Sequence, residues 1–266
     1  MNSFSNKTVW ITGASAGIGK ALSIAFSKLG ANIILSARRE TELIKVSKLC
    51  IGDGWTKIVV LDMLNFQLIN TEVQTILDQG INIDILINNA GVSQRSFAKS
   101  TVFEVDKSIM DLNYLSVVAM TKALLPNMIE QKEAYILATS SLVGKFGSPF
   151  RSTYSASKHA LHGFFDSLRT ELIIDKTNVK VMLFCPGFVN TDVSLNALTE
   201  DGSQLREMDV KTSTGVSPSY VAKKVISGIR RNKAEIYIGR SEILYIYISR
   251  LFPGIFRYLI SKTKVR

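Results

Sequence analysis

The chain has 266 residues, enough for one large α/β domain and few for two. Its 46% hydrophobic and 20% charged content is that of a packed globular protein and excludes a disordered one. The net charge of +10 suits an anionic cofactor and substrate or an acidic membrane surface. Nucleic acid is not expected, because the sequence has no Lys/Arg block of five or more and no zinc-finger or RNA-binding signature.

The first expected strand, Thr8 to Thr12, is a short β-branched run. TGASAGIG follows at residues 12–19, then a helix whose apolar residues Ile18, Leu22, Ala25, Phe26 and Leu29 recur at a 3.6-residue period. A glycine turn between strand and helix (Gly13, Gly17, Gly19) lets the backbone approach a pyrophosphate, which the helix N-terminus stabilises. Alone it is equally a structural turn, and its spacing differs from the common G-x-G-x-x-G.

A second strand, Ala31 to Ser36, ends at Ala37-Arg38-Arg39. A carboxylate about 20 residues after the glycines would hold a free ribose 2′-hydroxyl. Two guanidiniums instead suit a 2′-phosphate, so NADP(H) is expected over NAD(H). A third strand, Ile58 to Leu61, runs into Asp62, which fits either an adenine contact or an N-cap for a helix starting near Asn65. The fourth, Ile83 to Ile87, delivers Asn88-Asn89-Ala90-Gly91. A long helix is then expected from about Phe103 to Leu125, stopped near Pro126. Its apolar face encloses Asn113, whose amide either bridges backbones or organises water.

A fifth strand, Ala134 to Thr139, presents Ser140 and Ser141. Tyr154 follows Ser141 by thirteen residues, and Lys158 follows Tyr154 by four. On a helix Tyr154 and Lys158 share a face, and an ammonium beside a phenol stabilises the phenolate of a general acid/base. Such a pair also arises by accident on helix surfaces, so its meaning depends on a cofactor place beside it. A sixth strand, Val179 to Phe184, closes at Cys185-Pro186-Gly187, before a loop carrying Thr191 that reads as mobile as far as Ser217. A helix from Pro218 to about Arg231 and a strand, Glu235 to Ile238, end the alternation, which implies a parallel sheet covered on both faces.

Cys50 and Cys185 form no spaced framework, so free thiols in a reducing compartment are expected. His159 and His162 share one expected helix without a third ligand nearby, and no metal site is expected. The N-terminus lacks a signal-peptide pattern, which points to a cytoplasmic protein.

Taken in order, Thr12-Gly13-x3-Gly17-x-Gly19, Asn88-Asn89-Ala90-Gly91, Asn113, Ser141, Tyr154-x3-Lys158 and Pro186-Gly187-x3-Thr191 resemble the short-chain dehydrogenase/reductase family over about residues 6–192. The run GSPFRSTYSASKHAL is similar to the branch holding the 11-beta-hydroxysteroid dehydrogenases. The resemblance implies a single-domain Rossmann fold, a doubly wound parallel sheet of about seven strands with helices on both faces. It also implies homodimers or homotetramers, and hydride transfer between NADP(H) and a carbonyl or alcohol. Tyr154 would then be the proton donor, and Lys158 would lower its pKa and hold the nicotinamide ribose. Ser141 would orient the carbonyl and Asn113 would hold a relay water. Ser15, Arg38 and Arg39 would hold the 2′-phosphate, and Asp62 and Asn89 would border the adenosine. Val189 and Thr191 would hold the carboxamide, with Ile18, Ala90, Pro186 and Gly187 completing the cofactor contacts.

The tail, residues 241–266, is strongly apolar at Ile243–Ile248, Leu251-Phe252 and Ile255–Ile260, and is punctuated by Arg250, Arg257, Lys262, Lys264 and Arg266. Pro253-Gly254 breaks it into pieces too short to span a bilayer. Two basic amphipathic helices on an acidic membrane surface fit this pattern, as does packing over the substrate pocket or a subunit partner. Either way the substrate is expected to be hydrophobic. Two other functions remain open: a 3-oxoacyl-carrier-protein reductase, which would usually lack such a tail, and a non-catalytic NADPH-binding regulator, which would be expected to have lost Tyr154 or Lys158.

Overall fold

Alternation within the strands decides how the sheet is covered. Val9, Ile11, Ile33, Leu35, Ile85 and Ile87 enter one apolar core, while Trp10, Ile34, Leu86 and Ile136 enter the other. Strands apolar on both faces need helices on both faces. The computed structural model describes residues 4–262 and shows that arrangement.

The first half comprises β1 (Thr8–Thr12), α1 (Gly17–Ser27), β2 (Asn32–Ala37), α2 (Glu40–Ser47), β3 (Thr56–Val60), α3 (Phe66–Asp78) and β4 (Ile85–Asn88). The second half holds α4 (Phe103–Met110), α5 (Ser116–Ile129), β5 (Ala134–Thr139), α6 (Ser152–Ile174), β6 (Val179–Pro186), α7 (Val210–Ser213), α8 (Pro218–Arg230) and β7 (Glu235–Ile238). The tail forms α9 (Leu244–Leu251) and α10 (Pro253–Ser261). The strands make one seven-stranded sheet in the order β3-β2-β1-β4-β5-β6-β7, with every pairing parallel. Helices α1 and α8 cover one face through Leu22, Phe26, Val221 and Val225. The other face is covered by α3, α5 and α6 through Val73, Met120, Leu161 and Phe165. This is a doubly wound Rossmann fold. Its strand order reverses between β1 and β4, where a crevice opens at the carboxyl edge.

Local chemistry sets several boundaries. Asn65 caps α3 by accepting from the Leu68 amide at 3.0 Å. Ser217 caps α8 by accepting from the Tyr220 amide at 3.2 Å, with Pro218 in its first turn. The long helix expected from Phe103 to Leu125 differs from the structure in two ways. A π-helical turn, Asp111–Leu115, separates α4 from α5, and α5 runs through Pro126 to Ile129. Proline removes one helical hydrogen bond, but Leu124 and Met128 on either side are fully buried, and their packing offsets that loss.

The segment read as mobile, residues 190–217, is tied down. It holds α7, bridges Val189 to Val216 and Gln94 to Leu198, and pairs Asp209 with Arg95. The tail does form two short helices. Ile246 and Phe256 are buried against Phe146 and Leu142, while Leu244, Tyr247, Leu251, Phe252, Ile255 and Tyr258 are exposed. Among the described residues no helix is long and apolar enough to cross a membrane. Lys264 and Arg266 lie outside the described residues.

Candidate active site

The end of β1 and the end of β4 are locked together by Thr12 and Asn89. The Thr12 hydroxyl accepts from the Asn89 and Ala90 amides at 3.0 and 3.1 Å, and the Asn89 side-chain amide donates to the Thr12 carbonyl at 3.1 Å. The glycine turn packs directly on this lock. Gly13 has φ +65°, and a Cβ there would lie 2.9 Å from the Ala90 Cα. At Gly19 a Cβ would fall 2.2 Å from the Gly13 carbonyl oxygen. Thr191 closes the other side of the turn, since a Cβ on Gly17 would meet its methyl at 3.1 Å. The backbone is thus bared at the N-terminus of α1, where a pyrophosphate is stabilised.

At the end of β2 the Arg39 guanidinium donates to the Ser15 hydroxyl at 3.3 Å, joining residues from two ends of the expected phosphate clamp. Arg38 and Arg39 are exposed and line the crevice, and Ala37 stands where a carboxylate would bar a 2′-phosphate. Asp62 also lines the crevice; its carboxylate accepts from the Leu64 amide at 3.1 Å, and Asn65 rather than Asp62 caps α3. Ile18, Pro186, Gly187 and Val189 complete this wall. Bared glycine backbone, a helix N-terminus and an exposed arginine pair at the end of β2 fit a nicotinamide dinucleotide.

Ser141, Tyr154 and Lys158 converge on the same cleft, whose volume is about 680 Å³. Ser141 follows β5 and starts a short 3-10 turn, its hydroxyl directed to the Pro186 carbonyl at 3.3 Å. Tyr154 and Lys158 lie in the first two turns of α6. The Lys158 ammonium donates to the Thr139 carbonyl at 2.8 Å and sits 5.7 Å from the centroid of the Tyr154 ring. Burial pulls Lys158 down to about 8. Burial likewise pushes the Tyr154 phenol up; the Arg151 charge, a Ser141 hydrogen bond and the Arg95 charge pull it back. In this arrangement the arginines and Ser141, rather than Lys158, counter the desolvation of the phenol.

Asn113 lies in the π-helical turn and is fully buried. Its amide clasps Val92, accepting from the backbone N–H and donating to the carbonyl, both at 2.9 Å, and also donates to Ser157 at 3.1 Å. Of the two readings of this residue, the bridge between backbones is the one the structure displays. Gly91 lies where Asn113 and Lys158 approach; a Cβ there would stand 2.9 Å from Asn113 Oδ1 and 3.6 Å from Lys158 Nζ.

Several residues of the site carry no signal in the sequence. Gln94 is fully buried, and its Oε1 accepts from the Thr153 and Tyr154 amides at 2.9 and 3.1 Å, capping α6 from 60 residues away. Arg95, Arg151 and Asp209 cluster beside Tyr154. The expectation that His162 lacks further ligand partners does not hold. Strands β6 and β7 bring Cys185 and Glu235 to it, with their ligand atoms within 4.8 Å of one another. Ser140 lies 2.9 Å from His162 Nε2, and the Lys145 ammonium lies 2.9 Å from Glu235, where it opposes a cation. The cluster is a hydrogen-bond network behind Ser141. Cys50 and Cys185 are both free.

Comparison with known proteins establishes the family. The family model for short chain dehydrogenases matches residues 7–201, and the chain belongs to that family. It is 41% identical over 263 residues to a dehydrogenase/reductase SDR family protein 7-like of Anopheles gambiae, covering 96% of this chain and 82% of that protein. It is 38% identical over 257 residues to dehydrogenase/reductase SDR family member 7B of Mus musculus, covering 94% and 79%. Among solved structures, a short chain dehydrogenase/reductase from Burkholderia phymatum in complex with NAD superposes with a TM-score of 0.84 at 20% identity, covering 100% of this chain and 98% of that one. An alcohol dehydrogenase from Thermococcus sibiricus complexed with 5-hydroxy-NADP gives 0.76 at 21% identity, covering 90% and 98%. These two structures bear on the fold.

Proposed function

We propose that this oxidoreductase interconverts a carbonyl and an alcohol on a hydrophobic substrate, with NADP(H) as cofactor and Tyr154 as general acid/base. The observation carrying the proposal is the convergence of Ser141, Tyr154 and Lys158 on one cleft whose far end is the glycine turn with Ser15, Arg38 and Arg39. A bound NADPH would supply the hydride. Ser141 orients the carbonyl oxygen towards Tyr154, which releases its phenolic proton to it. The N–H bonds of the Lys158 ammonium beyond the one given to Thr139 would hold the nicotinamide ribose, while Ser141 and the charges of Arg151 and Arg95 favour the phenolate. Proton return runs through water in the space kept open by Gly91 beside the Lys158 ammonium, with Asn113 fixing the wall of that space through its bonds to Val92 and Ser157. Val189 and Thr191 would hold the carboxamide of the bound cofactor, and Asp62 and Asn89 would border its adenosine.

Apolar walls support a lipid-like substrate, since Phe146, Tyr245 and Ile260 line the cleft and the last two come from the tail. The exposed apolar stripe of α9 and α10, flanked by Arg250, Arg257 and Lys262, fits peripheral contact with an acidic membrane surface from the cytoplasmic side. Exposed apolar residues on the outer helices, including Phe103, Leu115 and Ile173, fit a homodimer or homotetramer. NADPH oxidation over a panel of hydrophobic ketones, aldehydes and 3-oxoacyl thioesters tests the reading. Turnover of a member of the panel is expected. Tight NADPH binding with no turnover in either direction would contradict it.

A further inference from the structure

We propose that the cleft contains a substrate-anion site built on Arg151 and Arg95, so that the carbonyl substrate carries a carboxylate or a phosphate as well as an apolar chain. This rests on the reductase reading above and narrows its substrate class.

The two guanidiniums share one carboxylate. The Arg95 and Arg151 side chains are 7% and 11% exposed, and that of Asp209 is 10% exposed. Arg95 Nη2 donates to Asp209 Oδ2 at 3.0 Å, while its Nη1 donates to the Gln94 carbonyl at 3.0 Å. Asp209 Oδ1 is taken by the Lys211 and Thr212 amides. Arg151 reaches Asp209 Oδ2 only at 3.9 Å, beyond a hydrogen bond. Its Nε is buried without a partner, and its guanidinium is stacked near Phe188, 6.0 Å from the ring centroid. The Lys211 ammonium faces the same ring at 5.8 Å. Among the described residues, Asp209 is the one carboxylate within ion-pair distance of Arg151.

A guanidinium removed from water without a hydrogen bond is costly, and most buried charges are paired. Burial and the neighbouring Arg95 pull Arg151 down, to about 10, which leaves it charged at neutral pH. Its planar fork matches the oxygens of a carboxylate or a phosphate. Arg151 lies three residues before Tyr154, and both line the cleft, so the anion sits a few atoms from the reacting carbonyl. Phe146, Tyr245 and Ile260 line the same cleft and leave an apolar course for the remainder of the molecule. An amphiphilic ketone with an anionic head satisfies both sets of residues.

The test uses the full chain. Octanoate, octyl phosphate and octanol are titrated calorimetrically into enzyme loaded with NADP+, with wild type and Arg151→Gln in parallel. In a second arm, ketones of one chain length bearing a carboxylate, a phosphate monoester or a neutral methyl ester are compared by kcat/KM. Wild type is expected to favour at least one anion over its neutral counterpart by about tenfold or more, chiefly in KM, with Arg151→Gln removing most of that preference. The order of carboxylate and phosphate identifies the head group. Equal binding of octanol and both anions by wild type would overturn the proposal. So would an NADPH affinity that falls in Arg151→Gln as much as anion affinity, because the arginine would then serve the cofactor. Calorimetry needs no turnover, so failure of the reductase reading is seen separately in the kinetic arm.

Discussion

Replacing Gln94 by alanine tests how Tyr154, the proposed proton donor, is held. Gln94 Oε1 is the acceptor for the Thr153 and Tyr154 amides, and Gln94 itself is fully buried. Its Nε2 adds longer contacts to Ser96 at 3.2 Å and Thr101 at 3.4 Å. An unmade hydrogen bond on a buried donor costs about 1–3 kcal/mol. Two such donors, relieved in part by water entering the space vacated, give an expected loss of about 2–4 kcal/mol. At about 2–4 °C per kcal/mol for a chain of this size, the melting temperature falls by about 5–15 °C. The first turn of α6 also loosens, and kcat should drop about tenfold while NADPH affinity is retained. Gln94→Glu keeps an acceptor at a helix N-terminus and should recover most of the stability. Thermal melts and steady-state kinetics on the two variants check this. An alanine variant with unchanged melting temperature and kcat would refute the reasoning.

Arg38→Asp places a carboxylate at the proposed 2′-phosphate site, so NADPH affinity should fall about 10- to 100-fold while NADH affinity changes little; fluorescence titration of both nucleotides reads the ratio, and an unchanged ratio removes the arginine from the clamp. His162 is held neutral, its pKa pulled down to about 4 by burial and then by Lys145, with Glu235 opposing. Its folded pKa lies below the unfolded value near 6.5, so its contribution is complete above about pH 6.5 and is lost as pH falls towards 4. Allowing for partial solvent access, about 1 kcal/mol should disappear between pH 7 and pH 5. Urea titrations of wild type and His162→Gln should show a smaller pH slope in the variant, and equal slopes would contradict the assignment.

What the sequence revealed was local. The glycine turn, the strand runs and the Tyr154-Lys158 spacing are patterns within a few residues, and each is found where expected. The structure departs where distant packing decides. Pro126 reads as a helix stop, yet buried neighbours carry α5 past it. Asn113 could be recognised as a buried amide, but its partner Val92 lies 21 residues away. Arg95, Arg151 and Asp209 occupy three separate loops or helix ends, and no spacing links them. Cys185 reaches His162 through the position of β6 beside α6, a tertiary arrangement that no spacing in the chain encodes.

The role proposed for Tyr154 is donation of the proton in an NADPH-dependent carbonyl reduction. It is tested most directly by following NADPH oxidation at 340 nm with Tyr154→Phe beside wild type, on a ketone that the wild type reduces. The phenyl ring keeps the packing and removes the acid. Turnover is predicted to fall at least about a hundredfold with NADPH binding largely intact. Wild-type turnover in the phenylalanine variant would contradict the account and remove Tyr154 from the chemistry.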